Sequence, residues 1–294
     1  MKMKQRTMRT GVAYLIPAAL FVVMFSVIPF FWNFVLSFQK WDGFGSPKAA
    51  GFHNYLSVFN NPLMTRAFGN SILYAFTSTF GGVVLGLLFA VLILRLTQKE
   101  GGFFRLILYS PAMLPTAVVG IMFVFFFNPE MGLLNNFLKA VGLGGLQHIW
   151  LQEKGTAMAC IIFVAIWKCA GSVMMLTFAA LQGVPRSLYE SSYLDGAGFW
   201  QQMKSIGFPL IKPMILLATI NTLGAQFKSY DLIFTMTQGG PADLTTTVPI
   251  IMKKTAFLFG SFGSAAAMGV LFTFVVAISI LAVRWVLRGE TYEY

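Results

Sequence analysis

The sequence predicts an all-α integral membrane protein with six transmembrane helices, on three observations: scarce charge, long apolar runs, and no stretch left over for a soluble domain. Of 294 residues, 57% are apolar and 11% charged, where an ordinary soluble domain carries about a quarter charged. A helix needs roughly 20 apolar residues to cross the hydrocarbon core. Runs of that order lie at 12–38, 72–94, 106–127, 156–181, 213–233 and 265–283. The intervals between them are too short for a separate fold, so residues 1–294 are expected to form one transmembrane domain.

The first run follows Lys2, Lys4, Arg6 and Arg9, as in the basic head of a secretory signal. Its apolar stretch is far longer than the roughly 7–15 residues of a signal core, so a retained span is expected. The outer loop 39–71 holds the turn and cap residues Asn54, Asn60, Asn61 and Pro62, which predict a short interfacial helix. The segment 95–105, with Gly101 and Gly102, is expected to be a tight turn. Pro111 and Pro115 are expected to kink the third span. In the loop 128–155, Leu133, Leu134, Phe137, Leu138 and Val141 recur at helical spacing and predict a small amphipathic helix. Phe123 to Phe127 fit a lipid-facing or interfacial position, and Met174 and Met175 fit packing.

With the N-terminus inside, twelve Lys and Arg residues fall on inner segments and seven on outer ones, with Lys168 and Lys228 inside spans. That bias favours cytoplasmic placement of both termini. The net charge of +11 is spread between spans instead of being clustered on one surface, so nucleic acid is not an expected partner. Cys160 and Cys169 lie about 180° apart on one helix and cannot pair. His53 and His148 sit on different loops, and neither a metal site nor a catalytic constellation is expected.

The inner segment 182–212 is longer than a turn requires and carries Glu190 and Asp195 beside Arg186 and Lys204. Ser187 and Glu190 have the spacing of a capping box. Gly196 and Gly198 predict a break, and a second short helix is expected from Phe199 to about Ile206, ended by Gly207 and Pro209. Tyr189, Tyr193, Gly196 and Trp200 are placed on one face, with Leu188, Ser191, Ser192 and Asp195 on another. Small residues on that second face would let another protein approach the backbone closely.

Glu190-Ser191-Ser192, Asp195-Gly196-Ala197, Ile206 and Pro209 match in order and spacing a known cytoplasmic signature. The chain therefore resembles the binding-protein-dependent permeases of ATP-driven (ABC) importers. Two Ser stand where that signature has Ala. Further similarity to the sugar-type branch lies in Gly51-Phe-His-Asn54-Tyr55, Asn70-Ser71, Gly132-Leu-Leu-Asn135, Thr237-Gln-Gly239-Gly240-Pro241 and the small-residue run from Gly263 to Ala267. The Thr-x-Gly-Gly-Pro element is similar to that of the first of the two unlike permeases of such importers.

The resemblance implies a type I importer transmembrane fold in the cytoplasmic membrane of a bacterium or archaeon. It also implies a second permease subunit, two ATPase subunits, an extracytoplasmic sugar-binding protein, a carbohydrate substrate and surrounding lipid. Glu190, Ser191, Ser192, Asp195, Gly196, Ala197, Ile206 and Pro209 would then form the ATPase-coupling helices. The chain has no Gly-Lys dipeptide for a phosphate-binding loop, so no cofactor is expected here and ATP with Mg would bind the partner ATPases.

For the solute pathway the polar residues within spans are candidates. Lys168, beside Trp167, is expensive inside a bilayer, roughly 3 kcal/mol on insertion scales. Its alternatives are pairing with a carbonyl or with a partner's acid. In the fifth span Asn221 and Lys228 are placed on one face, and Thr222, Gln226 and Tyr230 on another. Other readings of a six-span chain are an ion-gradient carrier, an embedded enzyme, or an importer permease for a non-sugar solute such as glycerol phosphate.

Overall fold

The computed structural model describes residues 14–287. Lys2, Lys4, Arg6, Arg9, the first two residues of the expected span 12–38, and Arg288 lie outside the described residues. In chain order α1 (Tyr14–Leu36) is followed by the two-residue strands β1 (Gln39–Lys40) and β2 (Lys48–Ala49) and by α2 (His53–Phe59). Next come α3 (Pro62–Ile93), α4 (Gln98–Met113), α5 (Thr116–Phe126), α6 (Leu133–Ala140) and α7 (Thr156–Gln182). The chain continues through α8 (Arg186–Leu194), α9 (Phe199–Leu210), α10 (Lys212–Phe227), α11 (Asp231–Thr237), α12 (Val248–Lys253) and α13 (Phe262–Val286).

Four helices, α1, α3, α7 and α13, are each long and apolar enough to cross a membrane. Two bent pairs, α4 with α5 at 97° and α9 with α10 at 69°, raise the number to six when each counts as one span. The third span is therefore no continuous helix over 106–127. Leu114 is extended (φ −74°, ψ 139°) because it precedes Pro115, whose ring disfavours a helical neighbour.

The fifth span also departs from the expected 213–233. Helix α10 stops at Phe227, and α11 starts afresh at Asp231. The second span begins at Pro62, ten residues before the expected start. Pro fits the first helical turn, and Asn61 Oδ1 accepts the Leu63 amide at 3.0 Å. The segment 95–105 is mostly helix, not turn: Thr97 and Glu100 form the capping box that starts α4.

The structure divides into two compact units. The first comprises residues up to Met64 together with Ile251–Phe274. Apolar residues cover α1 outwardly from Tyr14 to Val35, as a lipid-facing helix requires. Residues beyond it are tied down by Asn54, whose Nδ2 donates to the carbonyls of Ser37 (2.8 Å) and Gln39 (2.9 Å) while its Oδ1 accepts from Ser264 at 3.2 Å. The Phe262 amide donates to the Trp41 carbonyl at 3.0 Å. Gly263 meets the Gln39 carbonyl so closely that no Cβ would fit.

The second unit comprises Thr65–Ile250 with the residues after Phe274. Helices α3 and α7 approach through Gly81, Gly82 and Gly86, which face Ile166, Cys169 and Val173 with no room for a side chain. Gly171 lets α7 touch the α4 backbone at Leu108 and Tyr109, and Gly120 brings α5 onto Thr235 of α11. Small residues at helix contacts are the usual means of close packing in membranes. Around these contacts Tyr74, Val119, Phe127, Ile161, Val164, Ile233 and Ile250 form a core. Phe127 is buried, and Phe123 and Phe126 pack against the same core; of the run expected to face lipid, Phe125 is exposed. Met174 is buried in a second cluster.

Polar residues of this unit act as braces. Asn70 Nδ2 donates to the carbonyls of Leu244 (3.0 Å) and Thr246 (2.8 Å), and Ser71 Oγ accepts the Val248 amide at 3.0 Å. Asn135 Nδ2 donates to the carbonyls of Pro129 and His148 (both 3.1 Å), and its Oδ1 accepts from Trp150 Nε1 at 2.7 Å. Glu153 accepts the Ile149 amide at 2.9 Å and pairs with His148 at 2.8 Å. Those contacts, the amide first, hold its carboxyl below the usual carboxylate range.

Replacing Asn54 by Ala removes three hydrogen bonds from a site with 4% exposure. A loss of about 1–3 kcal/mol is expected, seen as a lower thermal midpoint in detergent, with Asn60→Ala at an exposed position as the silent control.

Candidate functional site

Two regions carry the functional signals, and both lie in the second unit. The first is a polar cavity of about 290 Å³ lined by residues of α3, α7, α10 and α11 and by the ends of α4 and α5. Its position follows from the helix breaks. Ala112 and Thr116 flank the break between α4 and α5, and Lys228, Ser229, Tyr230 and Asp231 span the break between α10 and α11. Irregular backbone is tolerated at membrane depth where it lines a cavity, so the two breaks and the cavity account for one another.

Lys168, Gln226, Lys228 and Tyr230, expected from sequence as pathway residues, all line this cavity. They do not share helical faces as predicted, because Lys228 ends α10 and Tyr230 precedes α11. Two candidates stand elsewhere. Trp167 lines an apolar recess with Phe123, Phe126 and Phe163, and Asn221 is exposed and absent from the cavity lining.

Sequence reasoning missed Tyr74, Cys169, Ser172, Ser229 and Asp231 in the lining. Ser172 lies one helical turn from Lys168, a spacing that points to it. Tyr74 sits in an apolar run that gives no such signal. Its hydroxyl donates to Gln226 Oε1 at 3.0 Å and can accept from the Ser229 hydroxyl at 3.1 Å. It thereby fixes the cavity wall on both sides of Phe227. Cys169 and Cys160 are free thiols.

The second region is the segment 182–212. Helix α8 starts after Pro185 with no side-chain cap, so Ser187 and Glu190 do not form the expected capping box. Two residues earlier than Ser187, proline already fixes the backbone entry and needs no donor. At the other end Asp195 is the C-cap and Gly196 has φ +83°. The Ala197 amide reaches the Ser192 carbonyl at 2.9 Å and the Gly196 amide the Tyr193 carbonyl at 3.0 Å. That is a left-handed helix stop, which favours glycine. Gly196 and Trp200 are thereby taken off the α8 face assigned to them.

The second helix runs past Gly207 and Pro209 to Leu210, contrary to expectation. A π turn over Met203–Gly207, in which the Phe208 amide bonds the Met203 carbonyl, accommodates the proline ring. The chain bends instead at Ile211.

Glu190, Ser191, Asp195 and Gly196 are exposed, and Ser192, Ala197, Ile206 and Pro209 are half-buried. Both serines that replace alanine bond back into their own helix, Ser191 Oγ to the Ser187 carbonyl (2.8 Å) and Ser192 Oγ to the Tyr189 carbonyl (2.9 Å). The surface accordingly stays small and needs no outside partner for those hydroxyls. Beside it Leu194 is 86% exposed and Trp200 54%. Beneath it Met203, Leu181, Val184 and Ile211 share one buried cluster, and Gln202 Nε2 donates to the Tyr189 carbonyl at 3.1 Å.

Residues 82–290 match the family model for a binding-protein-dependent transport system inner membrane component. The chain belongs to that family. This permease is 35% identical to the probable ABC transporter permease protein YurN of Bacillus subtilis (strain 168), over 94% of this chain and 96% of that one. It is 30% identical to the sn-glycerol-3-phosphate transport system permease protein UgpA of Salmonella typhimurium (strain LT2), over 94% of each. Its fold matches a chain of a bacterial alginate ABC transporter crystallised in complex with an alginate pentasaccharide-bound periplasmic protein, with a TM-score of 0.83, 22% identity and 98% of each chain covered. The permease is thus an inner-membrane subunit with the importer fold, and family membership sets aside the ion-gradient carrier.

Gly196→Val in this permease forces a β-branched residue into the left-handed region, which costs about 1–2 kcal/mol. A lower thermal midpoint is expected, whereas Ser191→Ala and Ser192→Ala should leave the midpoint unchanged.

Proposed function

We propose that this permease forms one half of the translocation pathway of an ATP-driven, binding-protein-dependent carbohydrate importer, and that the segment 190–209 couples it to the ATPase subunits. The observation that carries the reading is the exposed face of Glu190, Ser191, Asp195 and Gly196. Its polar groups are either satisfied within α8 or, for Glu190 and Asp195, without an ion-pair partner among the described residues. Such a face costs nothing when free and offers carboxylates for charge-assisted contacts with a basic partner.

The connectivity supports coupling. Helix α8 follows α7 after the short link Gly183 to Pro185, and α9 leads into α10 across Ile211. Helices α7 and α10 carry Lys168 and Gln226 of the cavity. The buried cluster of Leu181, Val184, Met203 and Ile211 makes the segment and these helix ends a single packed body. Closure of two ATPase subunits on ATP would shift α8 and α9, and the shift reaches both walls of the cavity through that body.

In this reading ATP and Mg bind the partner ATPases, this subunit performs no catalysis, and both termini are cytoplasmic. A second, unlike permease completes the pathway, and an extracytoplasmic binding protein delivers the solute. Ser172, Ser229 and Tyr230 offer hydroxyl groups suited to a polyol. The likeness to the glycerol-phosphate permease favours a second reading, in which the solute is a phosphorylated polyol instead of a sugar.

The test is co-purification of the assembled transporter and ATP-dependent uptake. Glu190→Lys is expected to reduce recovery of the ATPase subunits, with uptake falling at least about tenfold, while the thermal midpoint of the permease is unchanged. Normal recovery and uptake in that variant overturn the coupling assignment.

A further inference from the structure

The cavity at the two helix breaks has a charge balance that its shape alone does not require. Lys168, half-buried on α7, and Lys228, exposed at the end of α10, both line it, and Asp231 is the sole acid in the lining. Among the described residues neither lysine has a carboxylate within 4.0 Å. Burying an ammonium group at membrane depth without a counter-ion is costly, and a polar side chain of the same length would hold the wall as well. The remaining lining supplies neutral donors and acceptors: Tyr74, Ser172, Gln226, Ser229 and Tyr230. Two cations, one anion and a ring of neutral polar groups make a receptor for one anionic substituent carried on a hydroxylated body.

We propose that this cavity seats an acidic group of the transported solute, a carboxylate, phosphate or sulfonate, with Lys168 as its counter-ion and Lys228 at the exposed rim. The inference rests on the cavity being part of the translocation pathway and adds to it the charge class of the solute. Lys168 is the discriminating residue, because it is the less exposed of the two cations. Lys228 raises the local anion concentration at the rim, an effect that salt screens.

The experiment reads the potential in the cavity directly, without knowing the solute. In the full transporter, with Cys160→Ala and Cys169→Ala removing the native thiols, Ser172→Cys places a reporter one turn from Lys168. Its reaction rates with the anionic sulfonatoethyl and the cationic trimethylammonioethyl methanethiosulfonates are compared, each normalised to a free thiol. The anionic reagent is expected to be favoured, and Lys168→Gln to lower the anion-to-cation ratio about tenfold, as a unit charge at this range dictates. Glucuronate or inorganic phosphate should protect the reporter, and glucose at equal concentration should not.

An unchanged ratio in Lys168→Gln, or equal protection by glucose, overturns the proposal. A ratio that responds to Lys168→Gln in the permease alone but not in the full transporter overturns it as well, since the lysine is then paired with an acid of another subunit. If Ser172→Cys fails to assemble, native Cys169, which lines the same cavity, serves as reporter in a Cys160→Ala background. Loss of coupling in Glu190→Lys is scored separately, so a failure here leaves the permease reading standing, and the reverse holds too.

Discussion

Every backbone amide and carbonyl at membrane depth must find a partner inside the protein, and this structure is arranged around the few places where a helix cannot supply one. At Leu114 and Pro115 a proline removes a donor and forces its neighbour out of the helix. Between Phe227 and Asp231 the chain leaves one helix and starts another. Both places open onto one polar cavity lined by hydroxyls and an amide side chain. Tyr74, buried on a helix that stays whole, bonds to Gln226 and Ser229 on the far side. The continuous helices α3 and α7 are then free to pack through glycine, so the rigid part and the broken part of the unit have separate tasks.

Hydropathy made the spans legible because burying apolar residues in lipid is a property of composition. The fourth span, expected over 156–181, is α7 within one residue. Breaks are less legible, since a bent pair has the same composition as a straight helix. Pro111 and Pro115 suggested a kink, but a 97° turn depends on the packing of α5 against α11, which no local pattern encodes. The early start of α3 was hidden by Arg66, Asn70 and Ser71. Their polarity suggested a loop, whereas the structure uses them to hold the segment 242–248. The capping box was sought at Ser187 and formed at Thr97, where the same four-residue spacing begins a helix without a proline to compete.

The family-like motifs outside the segment 182–212 turn out to be joints. Asn54 meets Ser264 of the small-residue run, Asn70 holds the carbonyls of Leu244 and Thr246, and Gly132 and Asn135 close the loop 128–155. The Thr237 to Pro241 element is braced internally, with Thr245 Oγ bonded to Thr237 Oγ at 2.7 Å and to the Gly240 carbonyl at 2.6 Å. In the segment 182–212, by contrast, the signature glycine stops a helix while the acids around it make no ion pair within the described residues. A motif whose side chains are consumed internally differs physically from one whose side chains are left over, and the coordinates separate the two where a pattern does not.

The bond between Ser264 and Asn54 joins positions 210 residues apart. The unit it closes is made of the beginning of the chain and a segment near its end, while the residues between form a unit of their own. At a synthesis rate of about 5–20 residues per second, Asn54 emerges roughly 10–40 s before its partner exists. During translation Asn54 can already hold the carbonyls of Ser37 and Gln39, while its Oδ1 has to wait for Ser264. A chain cut short before Ser264 would lack that joint altogether, although Asn54 and its earlier partners were already made.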